Sequence, residues 1–446
     1  MGRLSCIALL LFATCASVAA AAPPWSTPES LSSSSLFVDA PDVVFAADGR
    51  AVATWRWTGV KPAQGEAPGG WRLAVREPAA TEFGPERSAP SLATPLIPYG
   101  LDRLIALDTS RRGSDRIALR ARFGRSDGTF AVPRTISTYA PGAGPPSLAA
   151  PNGAVAAWIA EGSRGRRIVR AALRRGDRFS RPFTLRSRGR AHDVVAGAAL
   201  GVVFVAWERA GQIEARVKLA GRGWTRLQRL GKGRSFATSF QVVGSGRRAY
   251  LAWLAESAES GVMQASVLPA AKSRFRAPQT LEAIPRAAPA EAHPFALVAL
   301  PDRGALLAWT GWDGAHWRVR ASVTGSGVRF GNLFGVSPDT QDSVLGDAAS
   351  VPLGTPLVAG TTMFVWSRLD AVGELGDRVQ AATYRPGGPF RPAEDVSDLD
   401  RARLPAVAFD FTTHRFTTVW SQRIGPDQPG VPLSQITTFA RSSTRP

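Results

Sequence analysis

Seven tryptophans, Trp55, Trp158, Trp207, Trp253, Trp309, Trp366 and Trp420, each close a copy of one short apolar run, at a period of roughly 45–60 residues. A period of that length belongs to a repeat architecture, in which 446 residues form one body instead of two or three domains. The clearest unit runs from Ser147 to Ser187. Ser147–Ala150 meets the turn Pro151-Asn152-Gly153, and Ala154–Trp158 follows. A polar loop then leads to Arg167–Arg174, and Gly176-Asp177 turns the chain into Phe179–Ser187. Short β-rich runs divided by Gly, Asn and Asp turns are hairpin signals, so each unit reads as four antiparallel strands. The fourth run opens on an aromatic residue at Phe83, Phe130, Phe179, Trp224, Phe275, Phe330 and Phe390. In an eighth copy, Leu101–Asp108, the tryptophan's place goes to a smaller residue near Leu107.

The unit that starts near Pro405 ends after its third run, and its missing fourth run stands at the other end of the chain. Trp25–Ser32 fits the same template as Phe179–Ser187. A permuted repeat of this kind closes a ring, which removes the open sheet ends. The expected fold is all-β: a single β-propeller of eight four-stranded blades over residues 23–446, with 23–32 as the outer strand of the last blade. The recurrent aromatics are expected to pack between blades, where each buries a large apolar area.

The repeat resembles the sialidase-like bacterial propellers built from Asp-box (BNR-type) repeats, whose boxes sit in the turn between third and fourth strands. Ser126-Asp127-Gly128-Thr129-Phe130 carries the likeness, one residue shorter than the family pattern, and Gly176-Asp177-Arg178-Phe179 and Gly387-Gly388-Pro389-Phe390 are looser echoes. The resemblance implies a fold more than a chemistry, because the boxes lie far from the family's active face. Eight blades would exceed the six usual in sialidase-type enzymes.

Residues 1–22 have the layout of a secretory signal: Arg3, an apolar run Ile7–Phe12, and small residues around Ala19–Ala22. That core is too short to span a bilayer, and no later stretch supplies a span. Cleavage is expected near Ala20–Ala22, giving a secreted protein. Lipid anchoring at Cys15 is disfavoured by the Phe12-Ala13-Thr14 that precedes it. The two cysteines, Cys6 and Cys15, both fall in this leader, so the mature chain has neither a disulfide nor thiol chemistry. A net charge of +19 invites a nucleic-acid reading. Its arginines are spread along the whole chain, and the expectation is a basic surface with no nucleic-acid partner.

In a propeller, the second-to-third loops and the blade-to-blade links share one face, which usually takes the ligand. Sialidase-type hydrolysis requires a Tyr with a Glu partner and an arginine triad, and only Tyr139, among Tyr99, Tyr139, Tyr250 and Tyr384, is expected in a link on that face. Paired carboxylates for other glycosidases would come from Glu161, Glu208, Glu256, Asp313 and Asp370, and sequence gives no separation for them. His192, His293, His316 and His414 fall in separate units, and no metal, nucleotide or nucleophile-elbow motif occurs. No catalytic residue, metal site or cofactor is therefore assigned. Residues 339–400 hold ten acids against four arginines. Asp342, Asp370 and Asp398 are taken from this acidic sector as candidate binding groups, together with Glu208. Trp57 and Trp312 are expected in loops of the same face, exposed for stacking. The functional expectation is a secreted, monomeric, non-catalytic propeller that binds an extracellular glycan or an envelope protein through its loop face. The alternative is an exported sialidase-like glycoside hydrolase.

Overall fold

The computed structural model describes residues 25–32, 37–58, 70–113, 116–140, 144–149, 153–161, 166–185, 191–231, 236–256, 260–285, 295–300, 304–324, 328–351, 361–369, 377–386, 388, 390–398, 401–423 and 436–443. The expected leader at 1–22 lies outside them. Every described element is a strand, and the strands form eight antiparallel sheets. We number the blades in chain order: 1 (37–89), 2 (97–139), 3 (147–184), 4 (191–230), 5 (236–285), 6 (295–335), 7 (342–395) and 8 (402–442 with 29–30). Within each, the first strand is innermost and the fourth outermost. First strands of successive blades touch, except that the first strand of blade 3 meets the second strand of blade 2, and blade 8 returns to blade 1. The protein is an eight-bladed β-propeller.

Ring closure follows the permuted repeat. Glu29–Ser30 pairs with the third strand of blade 8, Ile436–Ser442, in the register Glu29 with Ala440 and Ser30 with Phe439. Trp25 bridges Ser443, and the Leu31 amide donates to the Thr438 carbonyl at 2.7 Å.

Eight apolar clusters hold the ring, each drawn from two neighbouring blades. The second strands alternate, so their side chains reach both neighbours: Val203, Val205 and Trp207 pack toward blade 3, and Phe204 and Ala206 toward blade 5. All seven framework tryptophans are at most 2% exposed. Asp108 takes the eighth position. It lies opposite Arg120 on the third strand, as Trp158 lies opposite Arg170, and Leu107 is one residue too early.

The Asp-box-like turn forms as its residues require. Asp127 Oδ1 accepts the amide and hydroxyl of Thr129 at 2.9 and 2.6 Å, and Gly128 supplies φ +82°. This turn and the first-to-second turns lie on one face, called here the turn face; the links and second-to-third loops form the opposite loop face.

Candidate functional site

The second strand of blade 6, Ala305–Trp312, ends on the loop face, and a tight hairpin returns it as Trp317–Val323. Asp313 builds that hairpin. Its Oδ1 accepts the amides of Ala315 and His316, both at 2.8 Å, and its Oδ2 accepts Arg318 at 3.0 Å. The two amides, with Arg318, hold the Asp313 carboxyl well below the usual range. The Trp312 and Trp317 rings lie 5.1 Å apart at 53°; Trp317 is buried and Trp312 half-buried. The neighbouring blade completes the group. Asp342, first residue of the inner strand Asp342–Ser350, accepts the Trp317 amide at 2.8 Å, and His316 Nδ1 stands 3.5 Å from the same oxygen. The structure thus brings two predicted residues, Trp312 and Asp342, into one cluster.

The other predicted residues are elsewhere. Trp57 is not in a loop: the strand Ala51–Thr58 runs past it, and the ring is 7% exposed beneath Arg72, whose guanidinium carbon is 5.0 Å from its centroid. Because Trp55 and Trp57 are two apart on a strand, they share the face that packs against the neighbouring blade. Glu208 is 1% exposed. Its Oε1 accepts the Gly211 amide at 2.5 Å, closing the hairpin, and its Oε2 is buried without a partner. It offers the surface no carboxylate, contrary to expectation. Asp398 is exposed and accepts Arg441 at 2.7 Å, across the link into blade 8. Asp370 lies outside the described residues.

Sequence reasoning missed the groups at the inner rim. A cavity of about 230 Å3 opens between blades 7, 8 and 1, lined by Pro41, Leu345, Asp347, Leu369 and the bulge Arg403–Ala406. Asp347 follows a bulge in its own strand; its Oδ1 accepts Ala348 N at 2.8 Å and its Oδ2 accepts Val407 N of blade 8 at 3.1 Å. Asp42 follows the equivalent bulge of blade 1 and accepts Val43 N at 2.9 Å. Burial pushes Asp347 up to about 7, with the Asp42 charge adding, and pushes Asp42 up to about 6. The signal was a break in apolar alternation at both places. These carboxyls first of all satisfy amides that the bulges leave unpaired.

Tyr139 ends the fourth strand Arg134–Tyr139 instead of lying in a link; it is 6% exposed, and burial pushes its phenol up. Tyr99 and Tyr250 are buried too, and Tyr384 lies within a third strand. None of the four stands as a nucleophile on the loop face. Among the described residues no group of three or more His, Cys, Asp and Glu could hold a metal ion, and no helix is long and apolar enough to cross a membrane.

No family model and no curated protein matches the chain. Solved structures do, at the level of fold. A NanB sialidase mutant from Streptococcus pneumoniae is 8% identical at a TM-score of 0.37, covering 91% of this chain and 68% of its own. Trypanosoma rangeli sialidase is 10% identical at 0.38, covering 91% and 55%. The WD40 domain of SCAP from fission yeast is 10% identical at 0.45, covering 94% and 98%. These are likenesses between propellers and carry no chemistry to this chain.

Proposed function

We propose that this protein is exported and, without catalysing a reaction, binds an extracellular glycan or an envelope protein through its loop face. The observation that carries the reading is the Trp312 cluster. A half-buried indole, braced by Trp317 and packed on the core between blades 5 and 6, stands at a hairpin that carries Asp313 and His316, with Asp342 on the Trp317 amide, whereas the seven framework indoles are sealed between blades. An aromatic plane with polar groups at its edge suits a sugar ring or an extended peptide. The rim cavity beside Leu345 adds concave volume along the same inner strand.

The test is a thermal-shift screen of the mature chain against neutral and acidic glycans and peptidoglycan fragments, with reducing-sugar release read from the same wells. A specific ligand at a hundredfold excess over its Kd stabilises the fold by about 2.7 kcal/mol. We expect a shift without product release, and its loss in Trp312→Ala, whose own melting point serves as the reference. Product release would replace this reading with the hydrolase. A shift untouched by Trp312→Ala would move the site elsewhere.

A further inference from the structure

Charge is unevenly placed around the ring. Residues 161–248 carry 21 Arg and Lys against five Asp and Glu, and the described residues among them, with 15 of those basic groups, build most of blades 3 and 4 and the start of blade 5. Of the five acids, only Asp177 lies on the turn face of this sector. Glu208 and Glu214 are 1% exposed, and Glu214 is occupied by Trp207 and Arg209, both at 3.0 Å. Glu161 ends a strand at the loop face, and Asp193 sits in the inner strand of blade 4. Asp177 does lie in a turn of blade 3, but it faces blade 2, where it accepts Tyr99 at 3.0 Å and Arg103 at 2.6 Å.

A depression of about 680 Å3 lies in the middle of this basic sector, on the turn face of blades 3 to 5. Its lining is mainly apolar, with Leu173, Leu200, Val203 and Leu219 among small residues that include Gly201, Gly221, Gly244 and Gly246. Lys218 lines it, held on the Arg222 carbonyl, and Arg174 lines its blade 3 edge with its guanidinium turned toward blade 2, on the Gly176 carbonyl at 3.1 Å and over the Tyr99 ring at 4.5 Å. Arg175, Arg222 and Arg247 are exposed around it.

We infer that this depression is a cradle for a linear acidic polysaccharide, a chain bearing carboxylate or sulfate groups. Guanidinium groups pair with both anions through two parallel hydrogen bonds, and the apolar lining between the arginines suits the C–H faces of sugar rings. No aromatic ring lines the depression. The stacking platform that single-stranded nucleic acids use is therefore missing from it. The surface is on the face opposite the Trp312 cluster, so it stands or falls separately from the loop-face reading.

The experiment measures binding of the mature chain to immobilised heparin (sulfated) and to polygalacturonate (carboxylated), with dextran as the neutral control and duplex DNA as a second polyanion, at increasing salt. We expect both acidic glycans to bind at about 50 mM salt, with affinity falling steadily as screening increases, and dextran not to bind. Arg175→Glu, Arg222→Glu and Arg247→Glu together should weaken binding at least about tenfold. The same number of reversals at Arg111, Arg112 and Arg116, exposed at the loop face of blade 2, should change it less than about twofold. A milder set, Arg→Gln at the three rim positions, guards against misfolding and should weaken binding in the same order. Equal losses in the rim and control sets would overturn the cradle, leaving only net charge. Tighter binding to DNA than to either glycan would overturn the polysaccharide.

Discussion

Five of the seven framework indoles have an acceptor for their N–H. Trp207, Trp253 and Trp366 donate to the third-strand residue directly opposite, Glu214, Gln264 and Gln380, at 3.0 to 3.1 Å. Trp420 donates to Gln422, and Trp309 to Glu282 of the preceding blade. Where the opposite residue is Arg72 or Arg170, Trp55 Nε1 and Trp158 Nε1 are buried with no partner, a cost of about 1–3 kcal/mol each. Blade 2 answers the same arginine position differently. Asp108, wholly buried, accepts Arg120 at 2.5 Å and pairs with Arg122 at 2.9 Å, while its Oδ1 finds no partner. Removing the carboxylate would strand two guanidinium groups over an apolar interface. Asp108→Ala should therefore lower stability by about 3–5 kcal/mol, seen as an early-melting variant in thermal unfolding. A loss under about 1 kcal/mol would show that water reaches Arg120 and Arg122. The tryptophans made the repeat legible because nothing else fills that volume between blades. Asp108 was not legible, since a carboxylate in a core position breaks the template it belongs to.

Between elements, the ring is stitched by a residue that no motif announces. Four positions after the aromatic that opens a fourth run, Gln228 of blade 4 grips the backbone of Phe275 in blade 5. It donates to the carbonyl at 2.6 Å and accepts the amide at 2.8 Å. Gln279 holds Phe330 in blade 6 the same way, at 2.9 and 3.0 Å. Glu29 has the equivalent place in blade 8 and accepts the Phe83 amide of blade 1 at 2.8 Å. Burial pushes its carboxyl up to about 7, and the Glu82 charge adds to this. A protonated Glu29 reproduces the amide's donor and acceptor. Because the folded chain holds this proton up to about 7 and the unfolded chain releases it near 4.5, stability falls as pH rises through that window. Glu29→Gln keeps the grip and removes the titration. It should melt about 1–3 °C above the parent at pH 8 and level with it at pH 5. Equal gains at both pH values would mean the carboxyl is already ionised at pH 5, and no gain at either that it stays protonated at pH 8. The spacing from Phe275 to Gln279 and from Trp25 to Glu29 was in the sequence, but the aromatic each one grips belongs to the next unit, so aligning units on themselves hides it.

Over the whole molecule, a net charge of +19 works against compaction. Residues 339–400 hold ten acids against four arginines, and blade 7, which their described part builds, is four blades from the basic blade 3 in the ring of eight. Screening relieves the repulsion among arginines, so raising salt from about 20 to about 300 mM should raise the melting point by about 2–4 °C. A fall would mean that the surface ion pairs outweigh the repulsion. The pairing of Glu29–Ser30 with Ile436–Ser442 also has a temporal consequence. A chain made from its N-terminus presents Trp25–Ser32 first and its partner strand last. Blades 1 to 7 have all their strands before that partner exists, and closure is a late, single event. Because Ser26 and Ser443 end in one sheet, dyes placed there would stay far apart through most of folding and come together only at its last step.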